Sequence, residues 1–240
     1  TYSYFSFEDW KIGVPDLNDL VFIFDDNYKP TYPPTPEMWE WIVACEDLGT
    51  DDFDFNDVVF SVSYPRTDVA TGEKTVTVKA LASGGVLPVY LYYGGEDLYH
   101  RLIPEGCESA EGEFHSWFDA QPGQIINASS IRREGKSVTV NVPDDFTMAC
   151  TTKAEDGNMG GFRVEVRHHD GNIIISASNP NVEEQIGSAP QMICVPATWR
   201  WPLEHVFIKS VYSGFTDWCS DPDANNHWHE TLDGSGYWQR

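Results

Sequence analysis

Asp51-Asp52-Phe53-Asp54-Phe55-Asn56-Asp57-Val58-Val59-Phe60-Ser61-Val62-Ser63-Tyr64 runs from a knot of acidic side chains directly into an apolar segment. The second half, Val58 to Tyr64, is β-branched and aromatic and reads as a strand. If the first half is extended, Asp52, Asp54 and Asn56 project to one side and Phe53 and Phe55 to the other. The rings then anchor the segment in a core while the oxygens converge. The same pattern stands earlier in the chain, at a constant offset of 38 residues. Phe7-Glu8-Asp9-Trp10, followed by Asp16-Leu17-Asn18-Asp19-Leu20-Val21-Phe22, aligns without a gap on Cys45-Glu46-Asp47-Leu48, followed by Asp54-Phe55-Asn56-Asp57-Val58-Val59-Phe60. Seven positions are identical between the copies.

Clustered carboxylates repel one another, and a bound cation relieves that repulsion. Calcium takes about six to eight oxygen ligands from carboxylates, Asn side chains, backbone carbonyls and water. The candidate ligands are Asp47, Asp52, Asp54, Asn56 and Asp57 in the second copy, and Asp9, Asp16, Asn18 and Asp19 in the first. The spacing is not that of an EF-hand: counted from Asp52, the sixth position is Asp57 where Gly is needed, and the twelfth is Ser63 where Glu is needed. The competing reading is that these residues cap turns through their side-chain oxygens. The first copy has Gly13 and Val14 where the second has Asp51 and Asp52, so it is expected to bind more weakly or to share its ligands with the second.

The 240 residues carry 15 basic and 38 acidic side chains, a net charge of −23, which argues against nucleic acid or an anionic membrane as partner. Nine Trp, 13 Phe and 11 Tyr supply material for a substantial core. Cys45, Cys107, Cys150, Cys194 and Cys219 stand far apart and form no Cys-x-x-Cys pair, which leaves zinc ribbons and thioredoxin-like motifs unsupported. No apolar run is long enough to span a membrane as a helix. Export is expected to have involved a leader that was removed.

Alternation marks Lys74 to Leu81, Ser137 to Val142 and Phe162 to Arg167 as strands, with Val86 to Tyr93 and Ile173 to Ser178 as further runs. Met38 to Cys45 follows Pro36 and has a strand's Trp and β-branched content. Gly84-Gly85, Gly94-Gly95, Gly160-Gly161 and Asp170-Gly171-Asn172 supply turns. Helix is scarce and best placed between Leu203 and Trp218. The expectation is all-β: one antiparallel β-sandwich or jelly-roll-like domain over 1–240, with the duplicated acidic motif at 7–22 and 45–60. The Pro-rich stretch from Tyr28 to Pro36 is expected as an extended connector.

Glu46-Asp47-Leu48-Gly49 with Asp52 to Phe60 resembles the signature of the LruC-domain proteins, found largely on the surfaces of Bacteroidetes and related bacteria. Thr198-Trp199-Arg200-Trp201-Pro202-Leu203-Glu204, with Ile208, Tyr212, Phe215 and Trp218, resembles that family's C-terminal region. The resemblance implies an exported, surface-associated β protein with no known reaction. Its metal ligands carry over to Asp52, Asp54, Asn56 and Asp57 only.

Other constellations are weaker. His227-Trp228-His229 places two histidines on one face if extended, as a zinc pair requires, but no third ligand stands at a suitable spacing. Asp221-Pro222-Asp223-Ala224-Asn225 is a second-rank cation candidate. No Gly-x-Ser-x-Gly elbow, His-Glu-x-x-His helix or Walker loop occurs, and a glycosidase's carboxylate pair has no specificity in so acidic a chain. The expected function is a non-catalytic, calcium-stabilised adhesion or interaction module whose partner is a surface protein or glycan. A carbohydrate-binding module is the alternative, and a glycoside hydrolase a distant third.

Overall fold

The computed structural model describes residues 2–6, 21–25, 40–47, 52–68, 70–95, 98–148, 158–168, 171–174, 190–221 and 225–239. The chain divides into two compact units, Thr1–Pro36 and Glu37–Arg240. In the first, β1 (Tyr2–Ser6) pairs antiparallel with β2 (Val21–Asp25).

The second unit holds two antiparallel sheets. The six-stranded sheet runs β13 (Met192–Pro196), β3 (Glu40–Cys45), β4 (Val58–Ser63), β6 (Lys74–Ala82), β5 (Arg66–Thr67), with β9 (Ser137–Asn141) also on β6. The five-stranded sheet runs β10 (Asn158–Met159), β11 (Phe162–His168), β7 (Val89–Gly95), β8 (Leu98–Arg101), with β12 (Gly171–Ile174) also on β11. The all-β, antiparallel sandwich expected from the alternating runs is what forms. Phe60 of β4 meets Phe162 of β11 with ring centroids 5.8 Å apart, between the sheets.

The central strands are buried on both faces. Trp41, Val43 and Cys45 of β3, Val58, Phe60 and Val62 of β4, and Met192 and Cys194 of β13 join the core between the sheets. Their alternate neighbours Ile42, Ala44, Val59, Ile193 and Val195 join a second core on the opposite face. That second core is completed by the C-terminal segment through Trp199, Trp201, Tyr212, Phe215, Trp218, Trp228 and Trp238. Strands apolar on both sides are what a sheet covered on both faces requires. Most of the tryptophan therefore packs a third layer.

The helix expected near Leu203–Trp218 appears as two short pieces, α1 (Ile208–Val211) and α2 (Phe215–Ser220). The tail is not loose: Trp238 N–H donates to Trp201 O at 2.8 Å, and Pro202 bridges to Tyr237. Two local expectations change. Gly171 and Asn172, expected in a turn, lie inside β12, opposite His168 and Arg167. Gly84-Gly85 is a wall rather than a turn. A register shift between Val59 and Phe60 brings Ala82 opposite Val59, and the chain then runs alongside Asn56 and Asp57. The Pro-rich connector lies outside the described residues.

Candidate cation site

The acidic loop leaves β3 and enters β4, and its backbone is not extended. Phe53 has φ 46° and Phe55 φ 54°, both left-handed, which is unusual for bulky residues and costs about 1–3 kcal/mol each. Tertiary contacts hold it there. The Phe53 ring packs on Phe207 at 5.6 Å and the Phe55 ring on Phe215 at 5.3 Å. Ile208 N–H donates to Phe53 O at 2.8 Å, and Phe55 N–H to Glu46 Oε2 at 2.9 Å. The sequence therefore predicts the sidedness correctly and the backbone wrongly. Aromatics face the C-terminal core and oxygens face away from it, through alternating left-handed residues instead of a strand.

The oxygens converge beside Gly84. Asn56 N–H donates to Asp54 Oδ1 at 3.1 Å, and His205 N–H to Asp54 Oδ2 at 2.8 Å. Asn56 Nδ2 donates to Pro202 O at 3.3 Å, which turns its Oδ1 away from that carbonyl. A methyl group on Gly84 would sit 1.5 Å from Asn56 Oδ1 and 2.9 Å from Glu204 Oε2, so those two oxygens share one small space that only glycine leaves open. Asp52, Glu204 and His205 have ligand atoms within 4.8 Å of one another, as do Glu46, Asp52 and Asp54. Among the described residues Glu46 Oε1, Asn56 Oδ1 and Glu204 Oε2 are buried acceptors without a hydrogen-bond donor. Such orphans are uncommon in native interiors, and an ion beside them would supply the partner they lack.

Asp47 and Asp57 sit one step along. Asp47 N–H donates to Asp57 Oδ2 at 2.6 Å, and both carboxylates face Gly85, 3.2 Å (Asp57 Oδ1) and 3.6 Å (Asp47 Oδ2) from where its methyl would lie. Of the candidate ligands, Asp47, Asp52, Asp54, Asn56 and Asp57 are thus brought to one end of the sheet. Asp9, Asp16, Asn18 and Asp19 lie outside the described residues. Sequence reasoning passed over Glu46, Glu204 and His205 as ligands. Glu46 carried a signal, since Glu8 matches it in the first copy; nothing in the spacing linked Glu204 or His205 to the loop.

The electrostatics are those of an acidic cluster in a dry place. Burial pushes Asp54 up to about 7, and Asp52 adds to the effect. Burial also raises Glu46 and Asp57 well above the usual carboxylate range, with neighbouring acids as the next cause. Glu204 is raised by burial, and the adjacent Cys45 thiol by burial and then by Asp57 and Glu46. His205, exposed and at φ 61°, lies with Nδ1 2.6 Å from Asp52 Oδ2, a contact that raises its pKa. A divalent cation fits this donor set: hard oxygens, several of them charged, two of the orphans sharing the space over Gly84.

Two further clusters do different things. Ser83 Oγ lies 3.2 Å from His115 Nε2, and His115 Nδ1 lies 2.7 Å from Glu113 Oε1, the order of groups in a Ser–His–acid triad. Ser83 and His115 have no exposed surface, and His115 Nε2 also meets Gly85 O at 3.1 Å. Glu113 Oε1 in turn accepts Val89 N–H. This trio braces the Ser83–Gly84–Gly85 wall of the acidic site. His227 precedes a short 3-10 turn, Trp228–Glu230, and His229 lies within it, so the two do not line a strand face. His227 Nδ1 contacts Glu230 Oε1 at 2.8 Å. Most of Asp221–Asn225 lies outside the described residues.

No protein-family model matches this chain, and no curated protein matches it. It is similar in structure to a candidate lipoprotein from Bacteroides ovatus, at 15% sequence identity and a TM-score of 0.47, over 83% of this chain and 75% of that one. Among the described residues no helix is long and apolar enough to cross a membrane.

Proposed function

We propose that this chain is a calcium-stabilised interaction or adhesion module of LruC type, exported and displayed on a bacterial surface. One observation carries the cation: Glu46 Oε1, Asn56 Oδ1 and Glu204 Oε2 are buried acceptors with no donor opposite them. The charges acting on Glu46, Asp54 and Asp57 are other carboxylates, and the exposed His205 side chain reaches only Asp52 and Glu204 at the edge of the cluster. The three orphaned acceptors are all oxygens, a donor type that favours calcium over softer metals. The ion's role is structural, holding the loop between β3 and β4. Surface display rests on the LruC resemblance.

Calcium affinity in the range of extracellular modules, about 0.1–1 mM, is the expected outcome. Titration calorimetry of chelator-stripped protein reads it directly. Absence of saturable heat through several millimolar calcium would sink the proposal, and so would unchanged binding by an Asp52→Asn/Asp54→Asn double variant.

A carbohydrate-binding module is the second reading, and one feature favours it. Two guanidinium groups, Arg101 and Arg167, stack on the Tyr90 ring at 4.3 and 4.0 Å, and Tyr92 follows two residues along the same strand face. The guanidinium groups cover the faces of the Tyr90 ring, so it is their N–H donors, held in place by that ring, that would meet a sugar's hydroxyl groups. Glycan-array binding that is lost on Tyr90→Ala would favour this reading over a protein partner.

A further inference from the structure

We infer that two carboxylates outside the Asp-x-Asp-x-Asn-Asp run, Glu46 and Glu204, are ligands of the same ion, and that the ion thereby latches the C-terminal aromatic layer onto the sandwich. This rests on the reading of the acidic loop as a calcium site. Glu46 belongs to the end of β3 and Glu204 to the turn before α1, so the oxygens come from segments remote in sequence. The comparable contact between Asp54 and His205 spans 151 residues.

The geometry of the three orphaned oxygens supports the assignment. The second oxygen of Glu46, Oε2, is fixed by Phe55 N–H, which leaves Oε1 buried with no donor; Glu46 is only 2% exposed. Asn56 is fully buried, and its amide nitrogen is held by Pro202 O, so its Oδ1 has one direction left to face. Glu204 is positioned through its backbone, whose N–H donates to Ala128 O at 2.9 Å. Its Oε2 then reaches the space over Gly84 that Asn56 Oδ1 enters from the other side. Oxygens bound to one calcium at about 2.4 Å lie no more than about 4.8 Å apart. Glu46 meets that limit with Asp52 and Asp54, and Glu204 meets it with Asp52 and His205, so Asp52 is the residue through which one ion would join the two groups.

The consequence is mechanical. Phe53 and Phe55 on the loop, and Trp199, Trp201, Phe215 and Trp218 on the C-terminal segment, share one core. An ion bridging Asp52 and Asp54 to Glu204 adds a polar tie to that apolar contact at its solvent end. Loss of the ion loosens the Trp199–Ser220 segment as well as the acidic loop.

The test compares calcium titrations of the parent, Glu46→Gln, Glu204→Gln and Asp52→Asn/Asp54→Asn proteins, with amide hydrogen exchange of the parent in chelator and in calcium. Glu46→Gln and Glu204→Gln should each weaken binding by about 10-fold or more, and calcium should slow exchange in both 52–57 and 199–220 of the parent. If both Gln variants bind like the parent while the Asp52/Asp54 variant does not, the inference is wrong and the calcium reading stands. If the parent binds no calcium, both fall. Should a Gln variant fail to fold, the parent alone still decides: slowing confined to 46–57 overturns the latch.

Discussion

Phe55 shows how much a single side chain carries here. It is fully buried against Phe215, and its backbone sits at positive φ. Replacing it with Ala removes the ring that holds the strained loop and leaves a cavity. The expected loss is about 3–5 kcal/mol, read from urea unfolding, together with weaker calcium binding. A loss below about 1 kcal/mol would mean that the loop is held by its hydrogen bonds alone. Asp54 carries a pH signature. Its folded pKa is about 7, above that of an unfolded carboxylate, and Glu46 and Asp57 are shifted the same way. The folded, chelated protein therefore holds more protons than the unfolded chain between about pH 4 and pH 7, and its stability falls as pH rises through that window. Bound calcium keeps these groups ionised in the folded state and flattens the dependence. Urea midpoints near pH 5 and pH 8, in chelator and in calcium, test this; equal slopes in the two would count against it.

At the scale of elements, the two copies of the acidic motif are predicted to be unequal. Gly13 and Val14 in the first copy stand where Asp51 and Asp52 stand in the second, and Asp52 is the residue common to both ligand groups of the described site. Asp16→Ala/Asn18→Ala should therefore lower calcium affinity less than Asp54→Ala/Asn56→Ala, by calorimetry on both double variants. Equal losses would indicate a single site built from both loops. The strands themselves were largely legible in the sequence. β6, β9 and β11 fall where alternation placed them, because alternation is a property of the extended backbone and needs no knowledge of neighbours, and β4 falls where its β-branched and aromatic run placed it. The backbone of the acidic loop was not legible. Its left-handed turns are imposed by partners such as Ile208 N–H and His205 N–H, which sequence spacing does not reveal.

For the whole molecule the proposed ion would act through mass action. A ligand at tenfold excess over its dissociation constant, binding only the folded state, contributes ~1.4 kcal/mol per site. For a chain of this length that is a rise of a few degrees in melting temperature. Chelated protein also keeps Asp52, Asp54 and Asp57 in mutual repulsion, so it should gain more from added sodium chloride than the calcium form does. Melting curves in chelator and in millimolar calcium, each at low and high salt, check both points. Identical midpoints throughout would reduce the motif to a set of turn caps.

What the sequence determined by itself was the periodic part of this protein. Its strands, their all-β class, the apolar side of the acidic loop and the oxygen-bearing residues of the proposed cation site all follow from local patterns, since side-chain direction and residue type are local properties. The tertiary structure decided the rest. It set β3, β4 and β13 between two cores, turned most of the tryptophan into a third layer, and carried Glu204 to Asn56 over the bare Cα of Gly84. Those outcomes depend on which distant segments pack together, and packing is fixed by shape and burial across the whole chain rather than by spacing along it.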